Sequence, residues 1–324
     1  MALRVVFFGT PAFAAASLQA LAASAHEVAG VVSQPDRARG RGQKVHYEAT
    51  KRLALELNLP LWQPERITDP AFLNALRGVK PDLAIVAAFG RLLPQTLLDV
   101  PRLGFLNVHA SLLPRWRGAA PVHRAILAGD SVTGITIMRV VLALDAGPML
   151  AHVSTPIAAD DTSADMESRL AAMGGTLLVE TIDKLERGGI EDVPQDEAGV
   201  TYAAKLERAD SPIQWSRPAL AIHNQIRGLQ PWPLASTTLS GRRLLLLRSA
   251  VGRGSDLELT APSIQDLTPV AAPGTVLRAD GDHFVVAAGA GAVRLLEIQP
   301  EGRRVMSARD FLNGTRVAAG DSLT

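Results

Sequence analysis

The sequence predicts an α/β chain in which an N-terminal doubly wound, mostly parallel sheet is followed by a smaller C-terminal antiparallel β-barrel. Three observations carry this reading. Through residue 189, short and fully apolar runs alternate with helical segments, the pattern of strands buried on both faces and joined by crossovers. The next stretch is polar and turn-rich. Beyond it, strand-like runs are punctuated by Gly and Pro about every ten residues, as in small antiparallel barrels.

Each element follows from local residues. "LRVVFF" is a buried strand. "PAFAAASLQALAASA" is a helix opened by Pro11, a good first helical residue because the amide it lacks has no partner there anyway. "EVAGVVS" is the second strand, "YEATKRLALELN" an amphipathic helix, and "DLAIVAA" and "FLNVHA" two further strands. "PVHRAILAG" is helical and "GITIMRVV" a strand. "SADMESRLAAMGGTLLVETIDKLERG" is a long helix, with Thr162 and Asp165 as a capping pair. "GIEDVPQDEAGVTYAAKLERADSP" reads as a linker, which places one domain at 1–189, the linker at 190–208 and a second domain at 209–324. A helix over Ala219–Arg227 precedes the break "GLQPWPLA". The barrel strands are then "RRLLLLRSA", "GTVLRA", "HFVVAAG" and "AVRLLEIQ".

Composition narrows the function classes. At 47% apolar residues the chain can bury a sizeable core, yet no run approaches the roughly 18–20 apolar residues of a spanning helix. The absence of cysteine excludes disulfides, thiol catalysis and Cys-type metal sites. "AFAAAS" superficially resembles a leader cleavage site, but Gly9-Thr10-Pro11 interrupts the apolar run, so a cytoplasmic protein is expected. Net charge is +1, which excludes a general polyanion binder. Residues 205–324 nevertheless hold 14 Lys and Arg against 11 Asp and Glu, and this permits an RNA partner.

The chemistry centres on "LNVHASLLPRWRGAAP". Asn107 and His109 lie two apart in a strand and therefore share one face. In a doubly wound sheet, ligands bind beyond the carboxyl ends of the strands, which is where this pair sits. A lone histidine there is otherwise a core residue satisfied by its neighbours. "LALDAGPM" follows another strand and supplies Asp145, the only carboxylate between Asp130 and Asp160. Asp145 alone is equally well read as a turn residue before Gly147-Pro148. Together, the amide, imidazole and carboxylate suit acyl or formyl transfer without a covalent intermediate. The carboxylate and imidazole handle the nucleophile's proton, and the amide donates to the oxyanion. "QPDRARGRGQK" sets Arg37, Arg39, Arg41 and Lys44 among glycines, which suits phosphate contact, or is simply a solvated loop. "FGTPAF" follows the first strand without a G-x-G-x-x-G fingerprint, and no HExxH, Walker A or G-x-S-x-G sequence and no metal constellation occurs.

"FGTPAFA", "QPDR…GRG", "NVHASLLPRWRGAAP", "TGITIM", "LDAGPM", "TYAAKL", "PWP", "PGTV" and "IQPEGRRVMSARDFLNG" closely resemble the methionyl-tRNA formyltransferase family over nearly the whole chain. The resemblance implies a Rossmann-like formyltransferase domain followed by an oligonucleotide-binding (OB-like) barrel. It implies that the α-amino group of methionine on initiator tRNA attacks the formyl carbon of 10-formyltetrahydrofolate. Carried over, Asn107, His109 and Asp145 are the catalytic trio. Ser111, Leu112, Leu113 and Pro114 contact folate. Arg37, Arg39, Arg41 and Lys44 receive the tRNA acceptor end, and Lys205 faces tRNA. No metal and no membrane are implied, and a monomer is expected. The sequence departs from the family at "ALDAG", where Ala143 and Ala146 replace Gly and Thr, and at Phe89, where Tyr is frequent. Three other readings remain at this level: a related transferase or hydrolase acting on a nucleotide-sugar amine or water, a non-catalytic RNA-binding protein, and a dinucleotide oxidoreductase. The Arg-rich loop, the intact trio and the missing fingerprint disfavour them in turn.

Overall fold

A computed structural model describes residues 2–36, 38–39, 44–45, 47–251 and 271–324, with the backbone alone at 38–39 and 44–45. The chain divides into two compact units. The first comprises Met1–Pro121, Val132–Pro156 and Met166–Ala204, and the second Val122–Ser131, Ile157–Asp165 and Lys205–Thr324. This division differs from the sequence boundaries. Residues 190–204, read as linker, belong to the first unit, and two excursions from the N-terminal half belong to the second.

The first unit contains β1 (Arg4–Gly9), α1 (Ala12–Ala22), β2 (Glu27–Val32), the short β3 (Ala38–Arg39) and β4 (Lys44–Val45), α2 (Ala49–Glu56) and β5 (Leu61–Trp62). Then come α3 (Pro70–Gly78), β6 (Leu83–Ala87), α4 (Gln95–Leu98), β7 (Phe105–His109) and β8 (Arg117–Gly118). After α5 (Pro121–Ala128), which belongs to the second unit from Val122 on, follow β9 (Val132–Arg139), β10 (Met149–Pro156), α6 (Ser163–Glu186), in the first unit from Met166 on, and β11 (Tyr202–Ala203). The main sheet has the order β10-β9-β7-β6-β1-β2-β5. The strands from β5 to β7 are parallel, β9 is antiparallel to β7, and β10 is antiparallel to β9. β1 and β6 are buried at almost every position, so both faces of the sheet are covered. Phe8 anchors one side, its ring 5.5 Å from Phe89 and 5.3 Å from Phe105. Phe89 is buried in this apolar cluster, where a phenylalanine needs no partner for a hydroxyl. The capping pair forms as expected: the Thr162 amide donates to the Asp165 carboxylate at 3.0 Å and the Asp165 amide to Thr162 Oγ1 at 3.2 Å.

Gly30 in β2 lies under the Trp62 indole, and a Cβ there would sit 2.0 Å from ring carbon Cζ3. Trp62 packs in turn against Phe72, so moving its ring would disturb that contact. Gly30→Ala is therefore expected to destabilise the fold by about 1–3 kcal/mol through overpacking, read as a fall in Tm by calorimetry. An unchanged Tm would show that the ring relocates freely.

The second unit contains α7 (Ala219–Gly228), β12 (Ala235–Leu239), β13 (Arg242–Ala250), β14 (Val276–Asp280), β15 (His283–Ala287), β16 (Ala292–Pro300), β17 (Met306–Ser307) and α8 (Ala308–Gly314). Its antiparallel sheet runs β12-β13-β16-β15-β14, with β17 on β16. The two edges are joined by the last residues. Thr238 and Thr324 exchange both backbone hydrogen bonds, at 2.6 and 2.9 Å, while Leu323 N donates to Gly274 O and Val276 N to Asp321 O. The C-terminal segment thus bridges β12 and β14 and, among the described residues, leaves no long unpaired edge between them.

Sequence patterns did not announce α3, β10, β12 or α8. β10 alternates half-buried and exposed residues at the sheet edge, a weaker signal than a continuous apolar run. α8 is one short helix that depends on its Ser307 cap. Among the described residues no helix is long and apolar enough to cross a membrane.

Candidate active site

β7 places the pair. It lies between β6 and β9, with Asn107 beside Val86 and Met138, and His109 beside Thr136. His109 is 5% exposed and Asn107 half-buried. The chain then turns through 110–116, stitched to β9 by Thr136. The Thr136 hydroxyl donates to the Ser111 carbonyl at 2.7 Å and accepts from the Leu113 amide at 3.1 Å. The turn ends at Trp116, whose φ of +67° is unusual for a bulky residue. It is held there by its amide, which donates to Thr201 Oγ1 at 2.9 Å, and by its carbonyl, which accepts from His109 Nε2 at 2.9 Å. A carbonyl can only accept, so Nε2 carries the hydrogen and, in the neutral ring, Nδ1 keeps its lone pair.

Asp145 comes from the turn after β9. Its Oδ1 accepts from Asn107 Nδ2 at 3.2 Å and its Oδ2 from the Gly118 amide at 2.9 Å. The same Oδ2 lies 3.8 Å from His109 Nδ1. The carboxylate is therefore aimed at the ring nitrogen that has no hydrogen, ready to neutralise an imidazolium once that nitrogen is protonated. Asp145 itself has φ +47°. Ala143 stays outside the left-handed region, so alanine in place of the family's glycine strains nothing there. The position that tolerates no side chain is Gly147, where a Cβ would lie 1.9 Å from the Arg139 carbonyl oxygen.

Residues that the sequence did not single out complete the surroundings. Gln195, 9% exposed, donates through Nε2 to the carbonyls of Asp145 and Gly147, both at 2.8 Å. Its Oε1 accepts from Nε of the buried Arg117 at 3.0 Å, and Arg117 Nη2 reaches Glu197 Oε1 at 2.9 Å. An isolated bridge and a short ladder tie this returning segment down: Val193 pairs with Met149, and β11 runs parallel to β8. Only the polar texture of "VPQDEAG" hinted at them, and that texture reads equally well as linker.

The other predicted residues fall differently. Ser111 is fully buried, its hydroxyl donating to the Arg115 carbonyl at 2.7 Å, and Leu113 is buried. Leu112 and Pro114 are half-buried and accessible. Arg39 and Lys44 are backbone partners in the β3–β4 ladder, while Arg37 and Arg41 lie outside the described residues. The preceding Asp36 is paired with Lys51, whose hydrogen bond holds its carboxyl below the usual range, and accepts from Gln63 Nε2 at 3.1 Å. Lys205 is exposed, in the second unit. Among the described residues no group of three His, Cys, Asp or Glu is placed to hold a metal.

Comparison with known proteins agrees with this architecture. Residues 3–182 match the formyl transferase family and residues 205–316 the formyl transferase C-terminal domain. A methionyl-tRNA formyltransferase of Methylococcus capsulatus is 44% identical over 98% of both chains, and one of Paracoccus denitrificans 47% identical over 96% of this chain and 97% of the relative. Among solved structures, an N-formyltransferase from Helicobacter canadensis in complex with folinic acid and dTDP-3-aminofucose aligns with TM-score 0.68 at 16% identity, covering 92% of this chain and 99% of that one, a likeness of fold. With both family regions matched in order and such relatives similar over nearly their full length, the chain belongs to the methionyl-tRNA formyltransferase family.

Proposed function

We propose that Asn107, His109 and Asp145 perform formyl transfer from 10-formyltetrahydrofolate. The enzyme formylates the α-amino group of methionine on initiator tRNA, and the finer assignment concerns donor and residues. The observation that carries it is the convergence of the three side chains beyond the end of β7. A folate donor is supported by the folinic acid held in the Helicobacter canadensis N-formyltransferase.

The chemistry follows from the geometry. A free α-amino group has a pKa near 7.7–8.0, so near neutral pH a modest base suffices. Its lone pair attacks the formyl carbon, a C–N bond forms, and the carbonyl pair moves to oxygen. The second N–H of Asn107 Nδ2 donates to that oxyanion while the first stays on Asp145. The ammonium proton passes to His109 Nδ1, and the imidazolium is balanced by Asp145 Oδ2. Collapse breaks the bond to the folate nitrogen, which takes the proton from His109. Tetrahydrofolate and the formylated aminoacyl-tRNA leave. Leu112 and Pro114 are the accessible folate contacts of the 111–114 segment, with Ser111 and Leu113 supporting them from within. The enzyme is assigned as a monomer acting in the cytoplasm, where translation supplies its substrate. The region 1–189, extended by 190–204, is assigned catalysis, and 209–324 with Lys205 tRNA contact. Formylation assays with 10-formyltetrahydrofolate, comparing initiator with elongator Met-tRNA, test the reading. Equal rates on a small free amine would overturn the acceptor.

The loop carrying Arg37, Arg39, Arg41 and Lys44 is assigned the acceptor-end phosphates. Arg41→Ala is expected to weaken tRNA use by about 1.5–3 kcal/mol per charge-assisted hydrogen bond lost, to flatten the dependence of kcat/KM on ionic strength, and to leave folate affinity unchanged. Arg41→Lys should not fully rescue, because an ammonium cannot bond phosphate bidentately. A wild-type rate and salt slope in Arg41→Ala would make the loop a solvated surface segment.

A further inference from the structure

We infer that Gln195, held by Arg117, is a positioning residue that sets the Asp145 carboxylate against His109 and Asn107. The inference rests on the catalytic reading of Asp145 given above.

The site is built from two separate turns. One, Trp116–Gly118, fixes the His109 hydrogen through the Trp116 carbonyl and supplies the Gly118 amide to Asp145 Oδ2. The other, Asp145–Gly147, carries the carboxylate. Both contain non-glycine residues at positive φ, Trp116 at +67° and Asp145 at +47°. Such backbone persists only where the surroundings over-determine it. On the Asp145 side, Gln195 provides that constraint. Its amide donates to two carbonyls that flank Ala146, so the tight turn is bracketed from one point. On the other side, the Gln195 carbonyl accepts from the Arg117 Nε–H, and Arg117 is the residue between Trp116 and Gly118. One side chain thus joins the two turns.

The chemistry specifies glutamine. Two carbonyl acceptors on one side and a guanidinium donor on the other require a group with two donors and one acceptor at a single planar end, which an amide supplies. Glutamate would set a carboxylate against two carbonyl oxygens. Methionine would fill the volume but leave both carbonyls and a buried Arg117 N–H without partners. A displacement of about 1 Å at a reacting group can cost about 100-fold in rate even when the substituted residue lies away from the chemistry.

The test is a double-mutant cycle on the full-length enzyme, with single-turnover formylation of initiator Met-tRNA as the readout and thermal melts alongside. Gln195→Met is expected to lower the rate about 10- to 100-fold, with KM for tRNA and folate changed less than about threefold. In the Asp145→Asn background the same substitution is expected to cost less than about threefold, because the carboxylate it positions is already gone. Gln195→Asn, which keeps the amide on a shorter stem, should lose an intermediate amount. A folded Gln195→Met enzyme within threefold of wild type would overturn the inference. So would an equal loss in both backgrounds, or unfolding of both the Met and Asn variants, each of which marks a purely structural role. A fully active Asp145→Asn enzyme would instead sink the catalytic reading itself, whatever Gln195 does.

Discussion

Asp145→Asn is expected to lower formyl transfer by about a hundredfold or more, with the fold retained. The substitution preserves shape and removes charge. In the native site both carboxylate oxygens accept, one from Asn107 Nδ2 and one from the Gly118 amide. An amide in that place turns one of these contacts into donor against donor. It also removes the anion 3.8 Å from His109 Nδ1, so an imidazolium formed on the proposed route would no longer be balanced. Proton transfer by a positioned side chain typically contributes 10²–10⁴-fold. Asn107→Ala should reach a similar loss by a separate route, since deleting one oxyanion donor costs about 10²–10³. Single-turnover rates with circular dichroism melts check both. A folded variant at the wild-type rate would remove its residue from the chemistry.

Gly147→Ala is expected to cost about as much activity without touching a reacting group. The added Cβ would lie 1.9 Å from the Arg139 carbonyl oxygen and 3.4 Å from the Met138 side chain. The first neighbour is backbone at the end of β9 and cannot rotate away. The turn must move, and Asp145 moves with it. A shift of about 1 Å at a reacting group costs about 100-fold in rate, and the strain lowers stability by about 1–3 kcal/mol. Ala143→Gly, four residues earlier, should change the rate by less than twofold, because the backbone at 143 needs no positive φ. Rates and Tm of both variants decide this. An active Gly147→Ala enzyme would show that the turn is adaptable.

Much of this was legible in the sequence. Alternation along β7 placed Asn107 and His109 on one face, and the apolar runs of β1, β2, β6 and β9 announced a covered sheet, because those signals are local. Asp145 entered as the lone carboxylate of its stretch. What local reading could not supply is pairing at long separation. Gln195 and Arg117 are 78 residues apart, and Arg117 and Glu197 are 80. Their polarity belongs equally to a solvated linker, and only the fold shows that they are bonded inside. β10 and β12 were missed for a related reason: a half-exposed edge strand and a strand directly after a Pro-rich break carry weak periodicity. In the Arg-rich loop, charge and glycine left a phosphate site and a solvated segment both open, and its assignment to tRNA came from the family resemblance.

The parallel pairing of β8 with β11 has a consequence for the order of biosynthesis. Asn107, His109 and Asp145 leave the ribosome well before Tyr202 and Ala203, the residues that pair in register with Arg117 and Gly118. Until then the Arg117–Gly118 segment has no strand beside it, and Trp116 has no Thr201 to hold its amide. The sheet core can collapse on its local contacts, whereas closing an 85-residue separation waits for the chain to be made. A nascent chain stopped short of Thr201 would carry Asn107, His109 and Asp145 without the contact that holds the Trp116 turn.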